Sequence, residues 1–495
     1  MDVSYKENYE QRSNIAIVHE NETRIDDSHN ENYKSDYIQI FKKIIPELIE
    51  FYINEEFDKY HERCNHIAIS ISSMPISILE SKELMELNDF ICHVIHECSY
   101  SDVIYSTLLI LPPIFSKQSL SIANFYIDHD FLSNIQKILC SNDDMNEIIC
   151  DNPQMIELIL LIFSFLVKST PNGLNNAFPT YLLSYDALQQ ILDKFPNSSS
   201  VVLQLCSSVL QYWPHDFIHR DELITIGFSI FSPKNGENYS FILSLCRLVK
   251  TDPEAIYETL VSNLSTDDSS FIQNIVNWLN NDLIDFHYYV LKFIYSLIKH
   301  IPKQRANILS YLDPISLLNF AMSDNFQIRA VSYQLLSNVI ITNSGLISNL
   351  FQPISSFLPN ITETDNNDTM NSIASQFEHD LENGNYLLRK ATLSFIKNIM
   401  TYGKFIPQTN MFYCKEFLFS IVNFLGMTDS ENIMQLILET IHMIAQKAKI
   451  DHNLEVLNVL NDQQTIEIIQ NLPQTEKISI FITFIANIVN SISQQ

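Results

Sequence analysis

Apolar residues recur along this chain at the spacing of an α-helix, in runs that follow one another every 38 to 59 residues. Nine runs begin near residues 104, 156, 203, 241, 286, 328, 387, 433 and 478. In one of them the steps are three or four residues, through Leu283, Phe286, Val290, Phe293, Leu297 and Ile301. Such spacing puts the apolar groups on one face of a helix, which must then pack against a neighbour. The sequence therefore predicts an all-α chain of stacked helical repeats.

Glycine is too scarce in this chain for the common nucleotide-binding and hydrolase motifs. The 495 residues include only 7 glycines, and no two of them lie within eight residues of each other. Phosphate-binding loops and nucleophile elbows need glycines at short spacing, because only glycine lets the backbone approach a ligand so closely or turn so sharply. Since no zinc-protease motif and no other catalytic arrangement occurs, we expect no enzyme activity and no cofactor.

Two of the runs align residue by residue, which links them more closely than spacing alone. The aligned pairs are Ile328 with Leu388, Arg329 with Arg389, Ser332 with Thr392, Leu336 with Ile396, and Asn338 with Asn398. This order of arginine, small residue and Leu-x-Asn resembles the last helix of an armadillo repeat, and the spacing of the runs is similar to armadillo and HEAT repeats. The resemblance implies a right-handed α-solenoid.

The composition changes along the chain indicate three segments. Residues 1–36 carry nine acidic and four basic residues with almost no apolar periodicity, so we expect a flexible acidic tail. Residues 37–495 would form the solenoid, with about nine to ten repeats. A longer gap between two runs contains an acidic stretch without Lys or Arg, which we interpret as an insertion loop around 359–383.

The resemblance also implies a binding site. In armadillo proteins the asparagines of the last helices bind the backbone of an extended peptide in a groove, and Asn338 and Asn398 occupy that position here. The importin-α family has a tryptophan four residues before each such asparagine, whereas this chain has Gln334 and Ser394. The alternative interpretation, that the asparagines only brace their own helices, stays open.

A metal site is the other candidate that the sequence offers. Two short clusters contain His61 and Cys64, and Cys92 and His96, and thiolate and imidazole groups are zinc ligands. Their spacing fits no standard zinc module, so we interpret them as core cysteines beside partly exposed histidines. We therefore expect no bound metal.

The formal net charge of −28 opposes binding to nucleic acid or an anionic membrane, and it favours partners with Lys/Arg-rich segments. We interpret the one mildly basic stretch, which includes Lys292 and Lys299, as a solvated helix face.

The most apolar runs, 158–167 and 478–489, are too short to cross a bilayer, and we expect the second to be buried. With no signal peptide at the start and scattered cysteines typical of reduced thiols, we expect a cytoplasmic or nuclear protein.

Together these features predict a non-enzymatic scaffold or adaptor that binds protein partners along an extended groove. One alternative is a divergent nuclear-import adaptor similar to importin-α, which would bind basic peptides. Against it, residues 1–36 are acidic, whereas that family begins with a basic segment. A second alternative is a regulatory subunit of a multiprotein complex.

Overall fold

The computed structural model describes residues 30–140, 148–170, 180–214, 217–232, 239–264, 268–280, 283–345, 375–403, 412–473 and 475–492. Within these ranges every regular element is a helix, and a single β-bridge joins Cys140 to Ile148. This confirms the predicted all-α helical-repeat fold. The chain divides into two compact units, Met1–Phe231 and Ser232–Gln495, which we describe separately.

Within its described residues, the first unit has mostly short α-helices. They are α1 (Asn30–Ile53), α2 (Phe57–Ser72), α3 (Ile76–Leu79), α4 (Lys82–Glu97), α5 (Ser101–Leu108), α6 (Leu111–Ser116), α7 (Leu120–Asp128), α8 (Phe131–Leu139), α9 (Pro153–Ser169), α10 (Tyr185–Lys194), α11 (Ser199–Tyr212) and α12 (Arg220–Ile230). Packing runs from α1 through α2, α6 and α9 to α11 and α12. Buried hydroxyl groups link neighbouring helices. For example, the hydroxyl oxygens of Ser164 on α9 and Ser208 on α11 lie 2.7 Å apart and share a hydrogen bond.

The second unit contains longer helices separated by shorter ones. They are α13 (Tyr239–Thr251), α14 (Pro253–Leu264), α15 (Asp268–Asn277), α16 (Ile284–His300), α17 (Arg305–Ser310), α18 (Pro314–Ala321), α19 (Phe326–Thr342), α20 (375–383), α21 (Tyr386–Tyr402), α22 (Lys415–Leu425), α23 (Glu431–Ile450), α24 (Leu454–Leu460), α25 (Gln463–Gln470) and α26 (Glu476–Ile492). Among the described residues, 3₁₀ turns occur at Thr180–Leu183, Pro196–Ser198, Trp278–Asn280 and Pro302–Gln304.

Six helices of the second unit form a ladder in which each contacts the next: α13, α16, α19, α21, α23 and α26. The last six predicted apolar runs fall on these six helices, one on each. Shorter helices pack against the ladder, with α14 on α13, α18 on α19, and α22 on α23. Neighbours cover most sides of α19, so the middle of this helix exposes little besides residues 334 and 338. Stacking of this kind is how helical repeats build one continuous core.

Local sequence explains where the two aligned helices begin. Asn325 precedes α19 and Asn385 precedes α21, and each side chain accepts hydrogen bonds from backbone N–H groups of the first turn. An asparagine at this position satisfies donors that have no partner inside the helix. The capping residues occupy equivalent places in the two repeats, which extends the predicted alignment by three residues.

Two predicted segment boundaries differ from the structure. Residues 1–29 lie outside the described residues, but helix α1 already begins at Asn30, inside the predicted 1–36 tail. Most of the predicted 359–383 insertion loop also lies outside them, whereas its end, 375–383, forms helix α20. Burial of Phe377 and Leu381 holds this helix against the core, despite the acidic residues that suggested a loop.

Candidate binding surface on the helix ladder

The structure places the predicted groove residues Asn338 and Asn398 at equivalent positions on neighbouring helices, α19 and α21, and both are half-buried. The Arg305 guanidinium donates to Asn338 Oδ1, while Asn338 Nδ2 donates to the Gln334 carbonyl at 2.7 Å. Asn398 makes no side-chain hydrogen bond within the described part of the chain. An amide offers two donors and two acceptor sites, so Asn338 keeps one of each free. Asn338 therefore braces its own helix and retains hydrogen-bonding groups for a ligand.

Gln334 and Ser394 lie one helical turn before these asparagines and are also half-buried, between fully buried neighbours in sequence. The same place recurs on each ladder helix when the helices are aligned at their first buried apolar residue. We call this set the outer row: Arg247, Lys292, Gln334, Ser394, Glu439 and Phe484. Each member is half-buried or exposed, so every ladder helix has an accessible side chain at this aligned position.

Contacts between helices show that the outer row is in register. Lys397, three residues after Ser394 on α21, forms an ion pair with Glu439 of α23. His442, three residues after Glu439 on α23, contacts Phe484 of α26 with ring centroids 4.7 Å apart. In both cases, the residue three positions after one row member contacts the row member of the next helix. Along α21, α23 and α26 the row is therefore a structural alignment as well as a sequence spacing.

At the α13 and α16 end the row is cationic. Arg247 and Lys292 occupy equivalent positions on these two contacting helices. The Lys292 ammonium lies 5.3 Å from the centre of the Tyr288 ring and donates to the Tyr288 hydroxyl at 3.2 Å. Burial raises the pKa of the Cys246 thiol to about 12, and the Lys292 charge opposes that shift, which places Lys292 close to α13.

At Glu439 the row carries a carboxylate whose charge is already matched. Burial opposes ionisation of Glu439, but hydrogen bonds from Lys397 and Gln435 outweigh it and lower its pKa. The ion pair with Lys397 is therefore neutral as a whole.

The far end of the row, on the last helix α26, is apolar. Phe484 is 48% exposed and Ile480 is 52% exposed, and they supply the apolar lining of a shallow depression of about 450 Å³, whose other lining residues are Glu476, Ser479, Thr483 and Asn487. The expectation that the run 478–489 is simply buried is wrong for this face. Ile478 and Ile485 are buried against the ladder, but within the described part of the chain no following helix covers the opposite side.

The aligned arginines perform equivalent tasks that the sequence alone did not reveal. Arg329 donates to the Ser323 carbonyl at 2.8 Å, and Arg389 donates to the Gly384 carbonyl at 2.7 Å. Each arginine thus binds the backbone just before its own helix. Arg329 also pairs with the fully buried Asp380 at 3.1 Å.

The metal candidates are not brought together as a ligand set. Cys64 and Cys92 are buried in the packing of α2 and α4, and burial raises the pKa of both thiols to about 12, which disfavours the thiolate that binds metal. His61 contacts Ser106 at 2.8 Å and His96 contacts Asn134 at 3.3 Å. Among the described residues no group of three or more His, Cys, Asp or Glu side chains could hold a metal ion.

A second surface depression, of about 420 Å³, lies on α1 in the first unit. Its apolar lining includes Phe41 and Ile45, and three carboxylates, Glu50, Glu83 and Glu86, also line it. Lys42 pairs with Glu83 at 3.3 Å, so this rim carries more negative than positive charge. The sequence did not single out this surface, because its residues come from two helices more than 30 positions apart.

The fold and the outer row define this chain as an all-α helical-repeat protein. No family model and no curated protein matches its sequence. The solved structure of an engineered protein is similar with a TM-score of 0.54 and 12% identity, over 90% of this chain and 99% of that one. At this identity the likeness shows the fold alone.

Two further solved structures are more distant. One, from work on the phosphorylation-controlled interaction between cadherin and beta-catenin, has a TM-score of 0.49 and 11% identity, covering 87% of this chain and 91% of that one. The other, the karyopherin Kap121p bound to the SUMO protease Ulp1p, has a TM-score of 0.43 and 14% identity, covering 92% of this chain and 44% of that one. TM-scores below 0.5 do not establish a common fold, so neither structure informs the function. No helix among the described residues has both the length and the apolar character needed to cross a membrane.

Proposed function

We propose that this protein is a non-enzymatic scaffold or adaptor that binds segments of partner proteins along the outer row. The observation that supports this most is the row itself, because six helices that contact one another in succession each have an accessible side chain at the aligned position. A surface of this kind recognises a partner through its length rather than through a pocket. Gln334, Ser394 and Asn398 supply hydrogen-bonding groups at its centre, which suit the polar backbone of an extended segment.

The importin-α-like alternative, with Lys/Arg-rich partners, finds less support at the row. The net charge of −28 would attract a basic segment to the protein, but Arg247 and Lys292 at the row would repel it locally. The α1 depression, with its apolar lining and three carboxylates, suits a basic amphipathic segment better. A role as regulatory subunit of a complex uses the same surfaces. We place the protein in the cytoplasm, or in the nucleus for the import alternative.

Partner capture with matched variants tests this proposal. The double variant Gln334→Ala/Asn398→Ala removes two amides from the centre of the ladder surface, neither of which donates a side-chain hydrogen bond within the described structure. Gln464→Ala removes an exposed amide from α25 and serves as the control. Tagged full-length proteins are incubated with cell extract, and bound proteins are quantified by mass spectrometry.

We expect the double variant to lose most of the partner signal and the Gln464→Ala variant to keep it. Circular dichroism should show equal helicity in all three proteins, because the substituted side chains are half-buried or exposed. Equal capture by the double variant and the wild type would contradict binding along the row.

A further inference from the structure

The chemical character of the outer row changes steadily from one end of the ladder to the other. Arg247 and Lys292 are cationic, and Gln334 and Ser394 are neutral hydrogen-bonding groups. Glu439 comes next and is paired with Lys397, and the row ends at the exposed ring of Phe484. A ligand that follows the row must match this order, so the order carries information about the ligand.

The cationic end stands out in a chain with 58 acidic and 30 basic residues. Neither Lys292 nor Lys299, which is exposed two turns further along α16, forms an ion pair within the described structure. Nearby Lys303, by contrast, is paired with Glu254 at 2.6 Å. The two ammonium groups on α16 are therefore available to an external carboxylate, although carboxylates are abundant in the chain.

Screening makes this local charge matter more than the net charge. At physiological ionic strength the Debye length is about 8 Å, which is close to the distance between neighbouring helices. A carboxylate docked at α16 would interact mainly with Lys292 and Lys299. The acidic surfaces elsewhere would reduce its rate of approach but would contribute little once it is bound.

The apolar end has its own requirement. Phe484 contacts His442, but about half of its ring remains exposed, and Ile480 one turn away is exposed to a similar degree. A large apolar side chain of the ligand would cover both and remove their surface from water. A further carboxylate would gain nothing here, because Lys397 is already paired with Glu439.

The length of the row sets the spacing of these two ligand features. Four helix-to-helix steps separate Lys292 on α16 from Phe484 on α26. At 8–10 Å for each step the path is about 36 Å long. An extended chain covers about 3.3 Å per residue, so about 11 residues span this path.

We propose that the outer row binds one extended protein segment that carries an acidic cluster and, about 11 residues away, a large apolar side chain. The acidic cluster lies on Lys292 and Lys299, and the apolar side chain covers Ile480 and Phe484. Gln334, Ser394 and Asn398 form hydrogen bonds with the backbone of the ligand segment, between its acidic cluster and its apolar side chain. This rests on the proposed function and deepens it, because it names the chemistry of the partner segment.

Labelled synthetic peptides test the proposal by fluorescence anisotropy with the full chain at about 0.15 M salt. Two probes carry four Asp/Glu residues and a Phe-Leu pair, separated by ten Ser, Thr and Gly residues, in the two possible orders. A third shortens the spacer to three residues, and a fourth replaces the acids by lysines. We expect one of the first two probes to bind, and the short-spacer and lysine probes to bind at least about tenfold more weakly.

Variants assign each half of the probe to its end of the row. Lys292→Gln/Lys299→Gln should weaken binding about threefold or more, and Phe484→Ser should do the same through the apolar half. The matched controls are Lys82→Gln, an exposed lysine of the first unit, and Ile450→Ser, which replaces a side chain 72% exposed at the end of α23. Neither control should change the affinity.

The outcomes separate this inference from the proposed function. If the lysine probe binds best, and the Gln334→Ala/Asn398→Ala variant abolishes that binding, the row binds protein segments but the acidic–apolar order is wrong. If neither ten-residue-spacer probe binds, or if binding ignores both the lysine and the Phe484 variants, the inference is overturned. The partner-capture experiment then tests the proposed function separately.

Discussion

At the scale of single residues, one buried carboxylate holds two repeats together. Asp380 on α20 is fully buried, accepts a hydrogen bond from the Tyr333 hydroxyl at 2.9 Å and another from Gln376 at 2.8 Å, and pairs with Arg329. Burial, with the Asp380 charge beside it, raises the pKa of Tyr333 well above its ordinary value. The sequence predicted the equivalence of Arg329 and Arg389 but placed Asp380 in an acidic loop, because its partners are distant in sequence.

Replacing Asp380 by alanine should destabilise the protein strongly. The change leaves the Arg329 guanidinium, only 13% exposed, without its carboxylate. Removing one partner of a buried ion pair costs about 3–5 kcal/mol. Urea unfolding followed by circular dichroism measures the loss, and Asp429→Ala, at an exposed position in the same unit, is the control. A loss below about 1 kcal/mol would contradict a structural role for this cluster.

Gly384, between α20 and α21, should not tolerate a side chain. A Cβ atom added there would lie 2.3 Å from the Asp380 carbonyl oxygen, which is backbone and cannot move aside. At Gly426 the nearest atom would be the Ile468 Cδ1 at 3.4 Å, an ordinary contact. Gly384→Ala should therefore lower the free energy of unfolding by about 1–3 kcal/mol, and Gly426→Ala should lower it by much less. Equal effects of the two substitutions in urea unfolding would refute this account of Gly384.

His442 should make stability depend on pH. Burial lowers its pKa, and its Nδ1 is buried without a hydrogen-bond partner among the described residues. The unfolded chain therefore takes up this proton first as the pH falls, so the stabilising contribution is present above the ordinary pKa of 6.5 and is lost below it. Between pH 7 and pH 5, His442→Gln should lose less stability than the wild type. An unchanged pH dependence in His442→Gln would contradict this assignment.

At the scale of helices, periodicity predicted the ladder well. The last six apolar runs fall on the six ladder helices, because burial against two neighbours requires apolar residues every three or four positions. Helix α20 was missed since its acidic residues, which include Asp380 and Glu378, are typical of a loop. The exposed face of α26 was missed because its sequence is as apolar as a buried helix, and only the structure shows which neighbours are present.

The two faces of α26 should respond differently to truncation. Ile485 is 2% exposed and packs in the ladder, whereas Ile480 is 52% exposed on the opposite side. Ile485→Ala should cost about 2–5 kcal/mol in urea unfolding, as buried truncations do. Ile480→Ala should stay within about 0.5 kcal/mol. Comparable losses at both positions would mean that the outer face of α26 is covered.

At the scale of the whole molecule, composition excluded more than it identified. The shortage of glycine and the charge of −28 excluded nucleotide loops and favoured basic partners, but the outer row is cationic at one end. Net charge describes the average surface, whereas a partner meets a few side chains that the fold brings together from residues more than 200 positions apart. Of the candidate site, the sequence therefore supplied Gln334, Asn338, Ser394 and Asn398, and the structure supplied both ends.

Site-specific photo-crosslinking in cells tests whether partners bind along the outer row. A photoreactive phenylalanine analogue is placed at position 334, 394 or 464 of the full chain, and the adducts formed on irradiation are separated by mass. We expect the same partner adduct from positions 334 and 394, on neighbouring ladder helices, and none from the exposed control position 464. Adducts from position 464 alone, or from all three positions equally, would contradict binding along the outer row.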